Sequence, residues 1–105
     1  MPTLVIHAPK SKVQSENKRS FERTLETGIG DGYAVTRNEL ALLTPGLNVV
    51  LLDKDTRRRA EGELVKLEPN GWTRSGIQRY DVYTSNLKVV PYRPERLNRR
   101  GIAIR

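Results

Sequence analysis

The hydrophobic and polar positions of this chain predict one small sheet with two helical segments in its first half. Apolar runs, and runs in which apolar and polar residues alternate, predict strands at 3–8, 48–52, 58–68, 77–84, 87–91 and 102–104. The strand at 48–52 is apolar on both faces, which is typical of a central position. Gly62 interrupts the alternation around it and predicts a bulge, while Pro91 predicts an edge position for the strand that it ends.

Turn-forming residues separate these strands. The Asp-Lys-Asp-Thr segment at 53–56 predicts a hairpin turn, and the Pro-Asn-Gly segment at 69–71 ends the second arm of that hairpin. The Ser-Asn pair at 85–86 predicts a further turn. The glycine-rich segment 28–32 lacks the strand-turn-helix context of a dinucleotide-binding motif and predicts a loop.

Two segments carry helical signals. Phe21 and Leu25 lie four residues apart on an apolar stripe and predict a helix over 13–27. Thr36 and Glu39 have the spacing of a capping box, in which each side chain satisfies a backbone amide of the other residue. This box predicts a short helix over 37–43.

The order of these elements predicts an α+β fold with a small, curved, mostly antiparallel sheet or barrel, flanked by two or three short helices. A chain of 105 residues buries one modest core and hardly two. We therefore expect a single domain over residues 1–92, followed by a basic tail over 93–105 that ends in the short strand.

The net charge of +7 is placed unevenly. Residues 1–52 carry six basic and five acidic side chains, whereas 53–105 carry thirteen and seven. Thirteen of the nineteen basic residues are arginine, whose planar guanidinium suits phosphate oxygens and base edges. This distribution favours a polyanionic partner, although a basic protein is also compatible with a purely solvated surface.

Other features bound the function further. The chain has no cysteine, which excludes disulfides and thiolate chemistry and agrees with a cytoplasmic location. No segment resembles a signal peptide or approaches the roughly 20 apolar residues of a membrane span. We expect a cytoplasmic protein without a membrane partner.

Catalytic chemistry has few candidates. The only histidine, His7, lies in the first strand, where a structural role is favoured over a catalytic triad. Asp53 and Asp55, with Glu61 or Glu63, are the residues that a small magnesium-dependent nuclease would use. Because the same aspartates are typical of a hairpin turn, we predict a non-catalytic protein with no cofactor and no metal.

Binding chemistry is better represented. The adjacent Arg57, Arg58 and Arg59 follow the hairpin turn, where three guanidinium groups favour phosphate or water around them. Trp72 lies in a glycine-bearing loop before Arg74 and is either a stacking platform for a base or a core residue. Arg99 and Arg100 belong to a basic tail that would order on a phosphate backbone or remain mobile.

Four segments resemble the EVE and YTH branch of the PUA-like superfamily in order and spacing. They are Leu4–Ser11, Asp31–Thr36, Thr44–Gly46 leading into Val49–Leu52, and Ala60–Val65. The resemblance spans about residues 3–92 and implies a small barrel that binds RNA or DNA. It also implies a pocket for a flipped, often modified base, with Tyr33 in its wall, Lys10 and Ser11 at its rim, and Trp72 as a second wall.

We therefore predict a nucleic-acid-binding module, and more narrowly the recognition part of a larger restriction or RNA-processing assembly. One alternative is a protein-interaction or inhibitor domain that docks onto an acidic partner protein, and a less favoured one is the magnesium-dependent hydrolase. The residues predicted to contact nucleic acid are Lys10, Ser11, Lys12, Tyr33, Arg37, Arg57, Arg58, Arg59, Trp72, Arg74, Arg99 and Arg100.

Overall fold

A computed structural model describes residues 2–8 and 21–105 of the chain. Strands dominate this part, and the two helices in it are short. In chain order the elements are β1 (Thr3–His7), α1 (Phe21–Thr27), β2 (Ile29–Ala34), α2 (Arg37–Leu40), β3 (Asn48–Asp53), β4 (Arg58–Trp72), β5 (Gln78–Val90) and β6 (Ile102–Ile104).

The six strands form one mixed sheet in the order β2-β5-β4-β3-β1-β6. The pairing of β1 with β3 is parallel and the other four pairings are antiparallel. A parallel pair needs a long crossover, and here the crossover contains α1, β2 and α2. The expected small curved sheet is thus present. The α+β class applies only loosely, because the described residues are mostly sheet.

The sheet curls into a half-barrel around its core. The phenol of Tyr33 on β2 donates a hydrogen bond of 3.0 Å to the carbonyl oxygen of His7 on β1, although three strands separate β2 from β1 in the sheet. Gly30 makes this approach feasible, because a Cβ there would lie 2.9 Å from the Tyr33 ring and 3.0 Å from Ile6. The core on the concave face contains Leu4, Ile6, Phe21, Tyr33, Leu47, Val49, Leu51, Leu64, Val82 and Ile102.

The segment 91–101, here called the strap, covers part of the opposite face of the sheet. It joins β5 to β6, and β4, β3 and β1 lie between those two strands. Val5 and Val50 on that face are buried. The strap is held by Arg59, only 3% exposed, which donates 2.9 Å hydrogen bonds to the carbonyl oxygen of Arg93 and to the carboxylate of Glu95.

Two predicted non-strand segments belong to strands. The glycine-rich segment 28–32, predicted as a loop, lies largely in β2, which contains a register shift between Gly30 and Tyr33. The predicted turn at 85–86 is also wrong, since β5 runs through it without a break. Asn86 takes a positive φ of 56° there, so a residue suited to turns serves an irregularity of the β4–β5 pairing instead.

The predicted irregularity at Gly62 is confirmed, because the β4–β5 register shifts between Glu61 and Glu63. A Cβ at Gly62 would lie 2.5 Å from the carbonyl oxygen of Ser85, so this close approach needs glycine. By contrast, β4 does not end at the predicted 69–71 segment. It continues to Trp72 through another register shift, which accommodates the proline in the strand.

The capping box of α2 is confirmed, with both reciprocal hydrogen bonds between Thr36 and Glu39. The helix ends earlier than predicted, at Leu40, and Leu42 and Leu43 continue it with three-residue backbone hydrogen bonds. Within 21–27 the first predicted helix is present, while its earlier part lies outside the described residues. None of the described helices has the length and apolar character of a membrane span.

We expect Glu95→Gln to lower the free energy of unfolding by about 1–3 kcal/mol, because it removes a charged acceptor from a buried guanidinium. Glu61→Gln is the matched control. Glu61 also accepts from Arg59 at 2.9 Å, but its side chain is 45% exposed against 12% for Glu95. Water replaces the lost contact there, so the loss stays under about 1 kcal/mol. Urea unfolding measures both, and equal losses would contradict the role given to the strap.

Candidate functional site

The three adjacent arginines that follow the hairpin turn have three different environments. Arg57 is exposed and its guanidinium lies 4.8 Å from the centre of the Tyr92 ring. Arg58 pairs with Glu22 of α1 at 2.7 Å and with Asp53 at 3.0 Å. Arg59 is buried beneath the strap. Of the three, only Arg57 presents its guanidinium without an ion pair to any described residue.

Asp53, the last residue of β3, organises the hairpin turn through its carboxylate. Its Oδ1 accepts from the amides of Asp55 at 3.0 Å and Thr56 at 3.3 Å. Its Oδ2 accepts from the hydroxyl of Thr56 at 2.5 Å and from Arg58 at 3.0 Å. Burial raises the pKa of Asp53, but these hydrogen bonds outweigh it, so the pKa lies below its ordinary value.

His7, Asp53 and Asp55 are the one group of potential metal-ligating side chains found among the described residues, with ligand atoms within 4.8 Å of one another. Both Asp53 oxygens already accept two hydrogen bonds each. The Nε2 of His7 accepts from the amide of Lys54 at 3.4 Å, and burial lowers the pKa of this imidazole despite the nearby aspartates. Asp53 and His7 thus use their acceptors within the turn, whereas the exposed Asp55 carboxylate accepts no hydrogen bond from a described residue.

The pocket that the family resemblance implies is only partly visible. Lys10, Ser11 and Lys12 lie outside the described residues. Tyr33 is 1% exposed and belongs to the core, where it joins β2 to β1. Its ring therefore contributes to the curl of the sheet rather than to an open wall.

One open groove of the described chain lies beside Trp72 and is here called the Trp72 groove. It has a volume of about 480 Å³ and lies between the start of α2 and the tip of the β4–β5 hairpin. Trp72 is 64% exposed, which is unusual for so large an apolar side chain. The lining residues are Val35, Thr36, Arg37, Trp72, Gly76, Ile77, Gln78 and Tyr80.

A closed turn fixes the hairpin side of the groove. Trp72 is paired with Gln78 in the β4–β5 register, and the chain between them reverses at 73–77. Thr73 organises this reversal, because its amide donates to the carbonyl oxygen of Ile77 at 2.8 Å and its hydroxyl accepts from the Ile77 amide at 3.0 Å. Gly76 adopts a φ of 87°, which favours glycine.

The opposite side of the groove is formed by the end of β2 and the start of α2. The amide of Val35 donates to the carbonyl oxygen of Gln78 at 3.1 Å, which joins this side to β5. Thr36 caps α2, and Arg37 follows on its first turn with an exposed side chain. The capping box therefore fixes the direction in which the chain passes the groove.

Three polar side chains of the groove have no hydrogen bond or ion pair with any described residue: Arg37, Gln78 and Tyr80. Together with Trp72 they line the groove with a cation, an amide, a phenol and an indole ring. Arg74, two residues after Trp72 in the hairpin turn, is also exposed and makes no ion pair within the described chain. Arg37, Trp72 and Arg74, all predicted from the sequence, thus lie on or beside one groove.

Gln78 and Tyr80 were not predicted as site residues. Their alternation assigned them to a strand, but only the β4–β5 register places them opposite the hairpin tip. A polar and an aromatic residue in alternate positions at the start of the strand that follows a lone tryptophan were the signal that would have found them.

The two remaining predicted arginines differ. Arg99 is exposed and makes no ion pair with a described residue. Arg100 is half-buried, and its guanidinium pairs with both carboxylate oxygens of Glu39. This contact joins the strap to α2, so the Arg100 guanidinium already has a carboxylate partner within the fold.

No protein-family model, curated protein or solved structure matches this chain.

We expect Asp53→Asn to destabilise the protein by about 1–3 kcal/mol at neutral pH, because it weakens charge-assisted hydrogen bonds. The folded-state pKa lies below the ordinary 3.8, so the contribution of the carboxylate is complete above about 3.8. It is lost as the pH falls through the lower folded-state pKa. Urea unfolding between neutral pH and pH 3 should show the difference between parent and variant shrinking in acid.

Asp55→Asn is the control for this prediction. The exposed Asp55 carboxylate accepts no hydrogen bond from a described residue, so its removal should change the unfolding free energy little. A pH-independent difference for Asp53→Asn would contradict the role of the charged form.

Proposed function

We propose that this protein is a non-catalytic nucleic-acid-binding module and that the Trp72 groove is its recognition site. The observation that carries the proposal is the exposed indole of Trp72 in a groove that also holds Arg37, which forms no ion pair with a described residue. An aromatic face stacks on a base, and a guanidinium beside it binds a phosphate. The volume of about 480 Å³ lies in the range of sites for nucleotide-sized molecules, about 300–1,000 Å³.

The distribution of charge supports a polyanionic partner. The seven ion pairs of the described residues use five cations and six carboxylates. These pairs carry a slight negative balance, so the net charge of +7 resides on other side chains. Exposed cations that make no ion pair within the described chain include Arg37, Lys54, Arg57, Arg74, Lys88, Arg93, Arg96 and Arg99.

The family resemblance extends the proposal to the bound feature. The resemblance implies a pocket for a flipped base, and a groove with one exposed ring and an amide suits a base removed from its stack. Within the described residues the candidate aromatic walls are Trp72 and Tyr80. Recognition of a flipped or modified base, within a restriction or RNA-processing assembly, is the finer form of this proposal.

A salt series with labelled DNA and RNA oligonucleotides tests the proposal by fluorescence anisotropy. We expect log affinity to fall linearly with log salt, and Arg37→Ala and Arg74→Ala each to reduce that slope by roughly 0.7–0.9. Trp72→Ala removes stacking worth about 1–3 kcal/mol, and it should weaken binding at every salt concentration without changing the slope.

Lys88→Ala is the matched control for the two arginines. Lys88 is also exposed and makes no ion pair within the described chain, but it lies near the opposite end of β5 from the groove. The Lys88→Ala variant should therefore keep the part of the binding affinity that Trp72 provides. Binding that does not depend on salt, or equal affinity of Trp72→Ala and the parent, would refute the proposal.

A further inference from the structure

One side chain of the strap contacts the segment 34–39, which forms one rim of the Trp72 groove. The Nη1 of Arg100 donates to the carbonyl oxygen of Ala34, the last residue of β2, at 3.1 Å. The same nitrogen also donates to Oε1 of Glu39, and Nη2 donates to Oε2 of Glu39 at 2.9 Å. Arg100 therefore holds the two ends of the segment 34–39, which passes along the groove.

Glu39 transmits this contact to the groove. Its Oε1 accepts from the amide of Thr36 at 2.9 Å and from the hydroxyl of Thr36 at 3.1 Å. The Thr36 hydroxyl in turn accepts from the Glu39 amide at 3.3 Å. Thr36 and Arg37 both line the groove, so hydrogen bonds connect the strap to the rim without interruption.

A direct contact between Arg100 and phosphate is the competing role. A phosphate would have to replace the Glu39 carboxylate, which would then lose its guanidinium partner while it is itself half-buried. Removing one member of such a pair is costly, because the remaining charge is only partly solvated. Arg37, with no such commitment, is the better phosphate ligand at this rim.

We propose that Arg100 and Glu39 are positioning residues: through them the strap sets the place of Thr36 and Arg37, and thereby the affinity of the Trp72 groove, without touching the bound molecule. This inference rests on the proposed function for the identity of that molecule. The hydrogen bonds that link Arg100, Glu39 and Thr36, here called the tie, are a property of the free protein and can be measured without a bound molecule.

Glu39→Gln separates positioning from simple charge, because the two effects have opposite signs. Loss of a negative charge near the site strengthens binding to a polyanion when charge alone acts. Loss of the tie weakens binding, and we expect a decrease of about 2- to 30-fold, the usual size of such indirect coupling. Glu63→Gln is the charge control: Glu63 is exposed and in no ion pair of the described chain, so its neutralisation should leave affinity unchanged or slightly higher.

Arg100→Lys separates positioning from a phosphate contact. Lysine keeps the charge, but a single ammonium does not reproduce the planar fork that spans Ala34 and both oxygens of Glu39. We expect weaker binding of oligonucleotides with an unchanged salt slope. A direct phosphate ligand would instead keep most of its affinity as lysine, and Arg100→Gln would reduce the slope by roughly 0.7–0.9.

The measurement on the free protein is amide hydrogen exchange at Thr36. Both Glu39→Gln and Arg100→Lys should accelerate it, and the fluorescence of Trp72, the only tryptophan, should report a changed groove. Urea unfolding of each variant shows whether the acceleration exceeds any change in global stability. If the parent binds no nucleic acid, the proposed function fails. Amide exchange at Thr36 still tests whether Arg100 and Glu39 hold this residue in place. Unchanged Thr36 exchange in both variants, or tighter binding by Glu39→Gln, would overturn the positioning role.

Discussion

A guanidinium that leaves water needs carboxylates around it, and this constraint ties the peripheral segments of the protein to its sheet. Arg58 joins α1 to the end of β3 through Glu22 and Asp53. Arg59 and Arg100 act in the same way on the strap and on α2. Phe21 and Leu43 belong to the hydrophobic core, so packing also holds α1 and the residues after α2, and the ion pairs add to this attachment.

The same constraint divides the basic residues into two functional groups. Arginines with carboxylate partners organise the fold, and their charge is largely cancelled at short range. Exposed cations that form no ion pair with a described residue, such as Arg37 and Arg74, keep their charge available for an anion. Net charge alone does not distinguish the groups, because each cation adds one positive charge to the total whether or not it is paired.

The hydrophobic pattern predicted the strands better than it predicted their connections. All six predicted strand segments overlap observed strands, with 77–84 and 87–91 both overlapping β5, because alternation and β-branched runs are local signals. The segment 28–32 was predicted as a loop because its glycines suit turns, yet Gly30 is needed where Tyr33 and Ile6 approach closely. That approach is a consequence of the curl of the sheet, which no local pattern encodes.

The site was predictable to the extent that its residues carry their own signal. Trp72, Arg37 and Arg74 stood out by type and position, whereas Gln78 and Tyr80 required the pairing register of the hairpin. Arg58 and Arg59 were predicted as phosphate ligands because adjacent arginines repel one another. Neighbouring residues of a strand face opposite sides, however, so Arg58 meets Glu22 on one face while Arg59 meets Glu95 on the other. The alternation of the strand thus resolves the repulsion inside the fold, and the cations that make no ion pair with a described residue include Arg74 on the hairpin tip and Arg37 at the helix start.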